Sequence, residues 1–189
     1  MPLYIGPTLI EYLEEVEIDS SAADLPFRFQ VQLVNRPNLD FRGFSGTIAS
    51  GEVSVGDEIL VAGSGERARL RSIVTYDGEL ASAKAGQAVT LLLDKEIDIS
   101  RGDVICTPLS PPETADQFQA QLIWMSDAPL IRGRTLLIKL GANTVSGSVT
   151  QIRHKTDVNT FATLAVETVK INEVALVNFS TTEPIVYDP

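Results

Sequence analysis

The sequence contains 189 residues, which is enough for one large domain or for two small domains with separate cores. Its net charge of −10, from 15 basic and 25 acidic residues, argues against nucleic acid as the main partner, because a phosphate backbone attracts basic surfaces. No apolar run approaches the roughly 18 residues that a membrane helix needs. The single cysteine, Cys106, excludes an internal disulfide framework and suits a reducing compartment, so we expect a cytoplasmic protein that does not enter a membrane.

The first residues have the pattern of one short helix. Pro7 fits a first helical position, and Thr8 with Glu11 has the spacing of a capping box. Apolar residues then recur at helical spacing, at Leu9, Leu13 and Val16. Residues 1–23 are therefore predicted to contain an amphipathic helix, whose apolar face requires another surface to cover it.

Residues 24–109 have the pattern of many short strands. Hydrophobic and polar residues alternate through residues 27–34, as in a strand with one buried face, and glycines separate this run from similar ones. The predicted strands are residues 27–34, 44–49, 58–62, 68–74, 87–94 and 103–108. Short strands with glycine turns and no internal helix indicate a closed antiparallel barrel.

A proline-rich stretch then interrupts the strand pattern. Residues 107–116 contain three prolines and few apolar residues, so residues 110–115 are predicted to be a stiff linker between domains. Further strand patterns follow at residues 117–125, 134–152, 168–180 and 184–188. We therefore expect an all-β protein in which two tandem antiparallel β-barrels, residues 24–109 and 116–189, follow a short N-terminal helix.

Residues suited to catalysis or nucleotide binding are sparse. A phosphate-binding loop of the form G-x-x-x-x-G-K-[ST] does not occur, and the glycine-rich residues 63–67 fit a hairpin turn. The lone His154 gives no support to a histidine metal cluster or a catalytic triad. Asp57 and Asp103 are explained as turn residues, and Cys106 as a buried, unreactive thiol. We expect no catalytic, nucleotide-binding or metal-binding residue in this chain.

Three arginines alternate along one predicted strand, at Arg67, Arg69 and Arg71. A period of two places all three side chains on one face of the strand. A solvent-exposed face explains this pattern, and so does a contact with another macromolecule. The negative charge of the whole chain favours an acidic protein over RNA as such a partner. The three arginines are therefore the candidate partner contact.

Three motifs in the first predicted barrel belong together. Residues 46–57 fit G-T-I-x-x-G-x-V-x-x-G-D, residues 86–93 fit G-x-x-V-x-L-x-L, and residues 99–104 fit I-x-R-G-D-V. In this combination they resemble the second domain of elongation-factor-like GTPases. The resemblance implies that Arg101-Gly102-Asp103 is a turn between barrel strands and not a cell-adhesion signal.

Motifs outside that barrel restrict the resemblance to one subfamily of these GTPases. The second predicted barrel contains Trp124-Met125, Pro129-Leu130, Gly133-Arg134, Lys139, Asp157-Val158-Asn159-Thr160, Ile171-Asn172-Glu173 and Asp188-Pro189. Together with residues 4–18, these motifs are similar to the large GTPase subunit of bacterial sulfate adenylyltransferase. They distinguish the chain from translation factors, and the resemblance spans nearly all 189 residues.

The resemblance implies a function for the intact subunit. That subunit would use GTP and Mg to drive the formation of adenosine 5′-phosphosulfate and pyrophosphate from ATP and sulfate, in the assimilation of sulfate for cysteine biosynthesis. The motifs of its GTPase domain are absent here, so neither GTP nor Mg is expected to bind this chain. The implied partners are the upstream GTPase domain, of which residues 1–23 would be a remnant, and the catalytic small subunit.

Two further expectations follow from the same comparison. The alternative function is an RNA-binding barrel of a translational GTPase, of the elongation-factor or selenocysteine type. The resemblance also implies that the last strands of the second barrel lie beyond Pro189. We therefore expect the barrel of residues 116–189 to have open edges, with residues 174–179 in an edge strand.

Overall fold

The computed structural model describes residues 6–16, 22–38 and 41–188. These residues form one short helix, α1 (Leu9–Glu15), followed only by strands, which confirms the all-β class. The strands of the first half are β1 (Arg28–Asn35), β2 (Gly43–Ser50), β3 (Glu52–Ser54), β4 (Glu58–Val61), β5 (Arg67–Thr75), β6 (Gly78–Leu80), β7 (Ser82–Lys84), β8 (Ala88–Leu93) and β9 (Val104–Cys106). Those of the second half are β10 (Glu113–Ile123), β11 (Leu130–Ile131), β12 (Thr135–Leu140), β13 (Asn143–Thr156), β14 (Thr163–Leu164), β15 (Thr168–Val169) and β16 (Val174–Tyr187).

The first half forms a closed antiparallel barrel. Its strands follow the order β4-β9-β1-β2-β8-β5, and β5 pairs back with β4 to close the ring. Alternate side chains point inward and pack into one core, whose fully buried members include Phe29, Phe44, Ile48, Ile59, Leu70, Leu91 and Ile105. Closure leaves no free edge in this ring, and the barrel predicted from the alternation is confirmed.

The strand predictions for this barrel hold closely. Each of the six predicted strands is present, with ends displaced by no more than two residues. The short strands β3, β6 and β7 were not predicted. Two of them, β3 and β7, pair with each other across about 30 residues of sequence, a contact that no local pattern announces.

The second half forms a separate antiparallel sheet in the order β10-β16-β13-β12. Its core contains Val149, Val177 and Phe179, and the two-stranded β11–β15 sheet adds Leu130 and Val169. Among the described residues, β10 and β12 have a neighbour on one side only. Their inward-facing side chains are correspondingly only half-buried, at Phe118, Ala120, Leu122, Leu136 and Ile138.

Two predictions for the second half are wrong. Residues 174–179 do not form an edge strand, because β16 lies between β10 and β13. The predicted linker, residues 110–115, overlaps β10, because Glu113, Thr114 and Ala115 pair with the far end of β16. Pro184 likewise does not separate two strands, since β16 continues through it with an irregularity opposite Asp116.

The predicted N-terminal helix and its capping box are present. Thr8 is the N-cap, its Oγ1 accepts the backbone N–H of Glu11, and its own N–H donates to the Glu11 carboxylate at 2.7 Å. Pro7 therefore precedes the cap and does not occupy the first helical position. No residue of α1 is buried, and its apolar face, including Leu9 and Leu13, is exposed.

The barrel and the second sheet should differ in local stability. We expect alternate amides of β12 (Thr135–Leu140), an edge strand, to exchange hydrogen faster than those of β8 (Ala88–Leu93), which has neighbours on both sides. Hydrogen exchange resolved by residue in the monomeric protein measures this difference. The amides at residues 174–179 serve as an internal reference for a paired strand of the same sheet. Equal protection of β12 and β8 would contradict the expectation.

Candidate functional site

The RGD sequence forms a tight turn that docks on the barrel wall. Gly102 has a φ of 101°, which favours glycine, and its N–H donates to the carbonyl of Val31 at 2.9 Å. The Asp103 carboxylate accepts the N–H of Ser100 at 2.7 Å, which fixes the turn. Asp57 accepts the N–H of Ser54 in the same way. The predictions of an RGD turn and of two structural aspartates are confirmed.

The same turn touches the second sheet. A Cβ at Gly102 would lie 3.3 Å from the Cβ of Asn143, so the backbone of the turn packs closely on the β12–β13 hairpin. Beside it, the Gln30 side-chain amide donates to the carbonyl of Leu140 at 3.1 Å. A cavity of about 310 Å³ remains between the halves, lined by side chains such as Ser64. The barrel and the second sheet thus meet along β1, β9 and the RGD turn.

An ion pair completes this junction. Arg28 donates through Nε and Nη2 to the two carboxylate oxygens of Asp188, at 2.8 and 2.7 Å, in a bidentate arrangement. Its third nitrogen donates to the carbonyl of Phe27. The Arg28 side chain is 9% exposed, whereas that of Asp188 is 55% exposed. The sequence marks Asp188 only as part of a family motif and gives no sign of Arg28 or of the ion pair, since 160 positions separate the two residues and no local pattern links them.

The cysteine lies next to this pair and is buried. Cys106 is 0% exposed, and its thiol donates to the carbonyl of Leu60. Burial raises the pKa of Cys106, Arg28 opposes the shift, and the nearby Asp188 carboxylate adds to it. The predicted burial of Cys106 is confirmed. Because a neutral thiol with a raised pKa is a poor nucleophile, the lack of reactivity stays the prediction.

The three arginines of β5 are all exposed, but their surroundings differ. Arg67 lies 3.7 Å from the carboxylate of Glu58, and Arg69 donates to the carbonyl of Gly56 at 3.3 Å. Arg71 forms no ion pair within the described part of the chain. The alternation places them as expected, and their role as a partner contact stays a prediction. The glycine-rich residues 63–67 form the hairpin turn between β4 and β5, as predicted.

The motif residues of the second sheet serve its local structure. The Arg134 guanidinium lies 5.3 Å from the ring centre of Trp124 and donates to the carbonyl of Pro129. Asp157 accepts the N–H groups of Thr160 and Asn159, and these hydrogen bonds lower the pKa of Asp157. Such contacts hold loops in place and supply no reactive group.

The described residues contain neither a metal-binding cluster nor a membrane-spanning helix. In residues 6–16, 22–38 and 41–188, no group of three or more His, Cys, Asp or Glu residues is placed to hold a metal ion. Within the same ranges, no helix is long and apolar enough to cross a membrane. The single histidine, His154, is half-buried near the end of β13 and belongs to no metal-binding cluster of the described residues.

Comparisons with known families define the class of protein. Residues 44–106 match the family model of elongation factor Tu domain 2, and residues 117–189 match that of the GTP-eEF1A C-terminal domain-like family. The chain superimposes on a crystal structure of Sup35 complexed with GDP with a TM-score of 0.80 at 19% identity, covering 99% of this chain and 46% of that one. For the elongation factor SelB of Methanococcus maripaludis the TM-score is 0.72 at 23% identity, covering 95% and 40%. The fold is therefore that of two consecutive elongation-factor β domains.

Relatives with higher sequence identity define the class of protein more narrowly. The chain is 47% identical over 188 residues to sulfate adenylyltransferase subunit 1 of Shewanella woodyi, covering 100% of this chain and 40% of that protein. It is 49% identical over 188 residues to the bifunctional enzyme NodQ of Rhizobium sp. (strain N33), covering 100% and 29%. The chain is therefore homologous along its full length to a part of each of these proteins. It spans between 29% and 40% of the length of these relatives.

The ion pair of the junction should contribute measurably to stability. Replacing Asp188 by Asn leaves the Arg28 guanidinium buried without a full counter-charge, and we expect the free energy of unfolding to fall by about 1–3 kcal/mol. The lower end applies if solvent at the half-exposed Asp188 compensates part of the loss. Urea unfolding followed by far-UV circular dichroism and by the fluorescence of Trp124, the only tryptophan, measures the change.

The matched control is Asp77→Asn, in an exposed turn between β5 and β6. It removes the same charge away from the junction and should change the stability by less than about 0.5 kcal/mol. An equal loss in both variants would show that net charge, and not the Arg28 contact, sets the effect.

Proposed function

We propose that this chain is the non-catalytic two-barrel portion of the GTP-dependent regulatory subunit of sulfate adenylyltransferase. The intact subunit acts in the activation of sulfate, in which ATP and sulfate yield adenosine 5′-phosphosulfate and pyrophosphate. The adenylyl transfer is carried out by a separate catalytic small subunit in the cytoplasm, and the barrels act as contact surfaces. The observation that carries the proposal is the 47% identity to sulfate adenylyltransferase subunit 1 along the full chain.

The structure supports a contact role in physical terms. The halves meet through a bidentate ion pair and a docked turn, which favours one fixed arrangement of the two surfaces. The uncovered apolar face of α1 suits packing against an upstream GTPase domain. The described residues present no constellation of nucleophile, base and oxyanion donors, so binding is the activity that the geometry favours.

The alternative, an RNA-binding barrel of a translational GTPase, has weaker support. Sup35 and SelB share the fold with this chain at 19% and 23% identity, and a shared fold does not transfer a ligand. A net charge of −10 repels a polyphosphate chain at long range. RNA binding is therefore the competing outcome of the experiments below.

The first test concerns nucleotide binding. The 189 residues contain no G-x-x-x-x-G-K-[ST] loop, so the isolated chain should neither bind nor hydrolyse GTP. Isothermal titration calorimetry with GTP and Mg²⁺ measures this, with full-length subunit 1 of Shewanella woodyi as the positive control. Micromolar affinity of the chain for GTP would overturn the assignment of a non-catalytic portion.

The second test concerns the partner. The chain should bind the catalytic small subunit of sulfate adenylyltransferase and should not bind aminoacyl-tRNA, even at about 50 mM salt, where phosphate contacts are strongest. Calorimetry or a pull-down with each partner in parallel separates the two functions. Binding of tRNA alone would replace the proposed function by the alternative.

A further inference from the structure

One residue of the arginine row sits in a distinct backbone feature. Along β5, Leu70 pairs with Leu93 and Ser72 pairs with Leu92, so Arg71 is the extra residue of a β-bulge. The bulge also resets the alternation, because Leu70 and Ile73, three positions apart, both point into the core. A bulge turns a side chain away from the regular direction of its strand. This bulge therefore distinguishes the orientation of Arg71 from that of Arg69.

Arg71 faces two other cations across a small cavity. The cavity holds about 120 Å³ and is bounded by Arg71, by Arg42 just before β2 and by Lys95 just after β8. Phe44 forms part of its wall, and the Arg42 guanidinium lies 5.6 Å from the centre of that ring. A cation–π contact of this kind holds a guanidinium in position. Cationic side chains from three separate segments of the barrel thus line one cavity.

Two carboxylates, Asp94 and Glu96, also line this cavity, and both accept hydrogen bonds. Asp94 accepts the backbone N–H of Arg69 at 2.9 Å, and Glu96 accepts a hydrogen bond from Arg36 at 3.2 Å. Asp98 reaches Arg42 only at 3.9 Å, with a side chain that is 96% exposed. Neither Arg71 nor Lys95 has an ion-pair partner among the described residues. Three cationic and two anionic side chains line the cavity, so its lining keeps a net charge of +1 in a strongly acidic protein.

We propose that Arg42, Arg71 and Lys95 form a pocket that receives a carboxylate side chain of a partner protein. Ligand pockets for drug-sized molecules usually exceed about 300 Å³, so a cavity of about 120 Å³ suits one small anionic group and not a nucleotide. A single pocket also differs from the extended basic groove that follows a nucleic-acid strand. The partner's identity as the catalytic small subunit rests on the proposed function above.

The pocket narrows the predicted contact to one arginine of the row. Arg67 lies near the Glu58 carboxylate and Arg69 donates to the Gly56 carbonyl, whereas Arg71 has neither an ion pair nor a side-chain hydrogen bond among the described residues. Arg71→Gln and Lys95→Gln should each weaken binding of the catalytic subunit about tenfold, because each removes one charge-assisted hydrogen bond. The dependence of the affinity on salt should decrease in both variants. Lys84→Gln, an exposed lysine of β7 outside the pocket, is the matched control and should leave the affinity unchanged.

Calorimetry at two salt concentrations on the full chain gives these affinities. If Arg67→Gln and Arg69→Gln weaken binding as much as Arg71→Gln, the partner contacts the whole strand face and the pocket is not the site. Unchanged affinity in Arg71→Gln and Lys95→Gln, with the wild type binding, overturns the pocket and leaves the proposed function intact. Loss of tRNA binding in these variants would identify a phosphate site and would also overturn it.

A small-molecule probe tests the pocket independently of the partner. Titration of the wild type with sodium acetate at millimolar concentration should shift the side-chain Nε–Hε resonances of Arg42 and Arg71 in nuclear magnetic resonance spectra. The shifts should disappear in Lys95→Gln and persist in Lys84→Gln. If the wild type fails to bind the catalytic subunit, the proposed partner fails, while a saturable acetate shift still supports a carboxylate pocket. Absence of that shift overturns the pocket.

Discussion

The bidentate contact between Arg28 and Asp188 is the constraint on which the arrangement of the two halves depends. Arg28 lies on β1, which pairs with β2 and β9 in the closed barrel, and Asp188 directly follows β16, which lies between β10 and β13. The contact therefore joins two strands that each have neighbours on both sides. On the same side, Gln30 adds a hydrogen bond to the carbonyl of Leu140, and the RGD turn packs closely on Asn143. Because the Arg28 guanidinium is buried, separating the halves would expose it or leave it unpaired.

The parts of the fold that sequence predicts well are those with a local physical cause. A strand with one buried face must alternate, and glycine is favoured where φ is positive, so the barrel strands and the RGD turn follow from adjacent residues. The failures have distant causes. β10 begins at Glu113, within a proline-rich stretch, because the end of β16 is there to pair with it. Pro184 lacks an N–H, yet β16 absorbs it at an irregularity where no ladder hydrogen bond is needed.

The candidate site likewise has one part that sequence predicts and one part that it does not. Period two correctly places Arg67, Arg69 and Arg71 on the outer face of β5, since that depends on the strand alone. What distinguishes Arg71 depends on the bulge opposite Leu92 and on neighbours about 25 to 30 positions away in sequence, Arg42 and Lys95. The spacing of Leu70 and Ile73 interrupts the alternation of β5, but it does not say which residues of β8 lie opposite the bulge. The pocket could therefore be found only once the register of the barrel was known.

The electrostatics of the chain explain why such a pocket can be selective. At physiological salt, charges beyond about 8 Å are largely screened, so the net charge acts on approach and the pocket acts on contact. A polyanion such as RNA is repelled on approach by the net charge of −10 and has one small cationic pocket to contact. A folded protein with one well-placed Asp or Glu avoids that repulsion if the rest of its contact surface is neutral or basic. The acidic surface and the cationic pocket together thus favour a partner with a single acidic anchor in a basic surround.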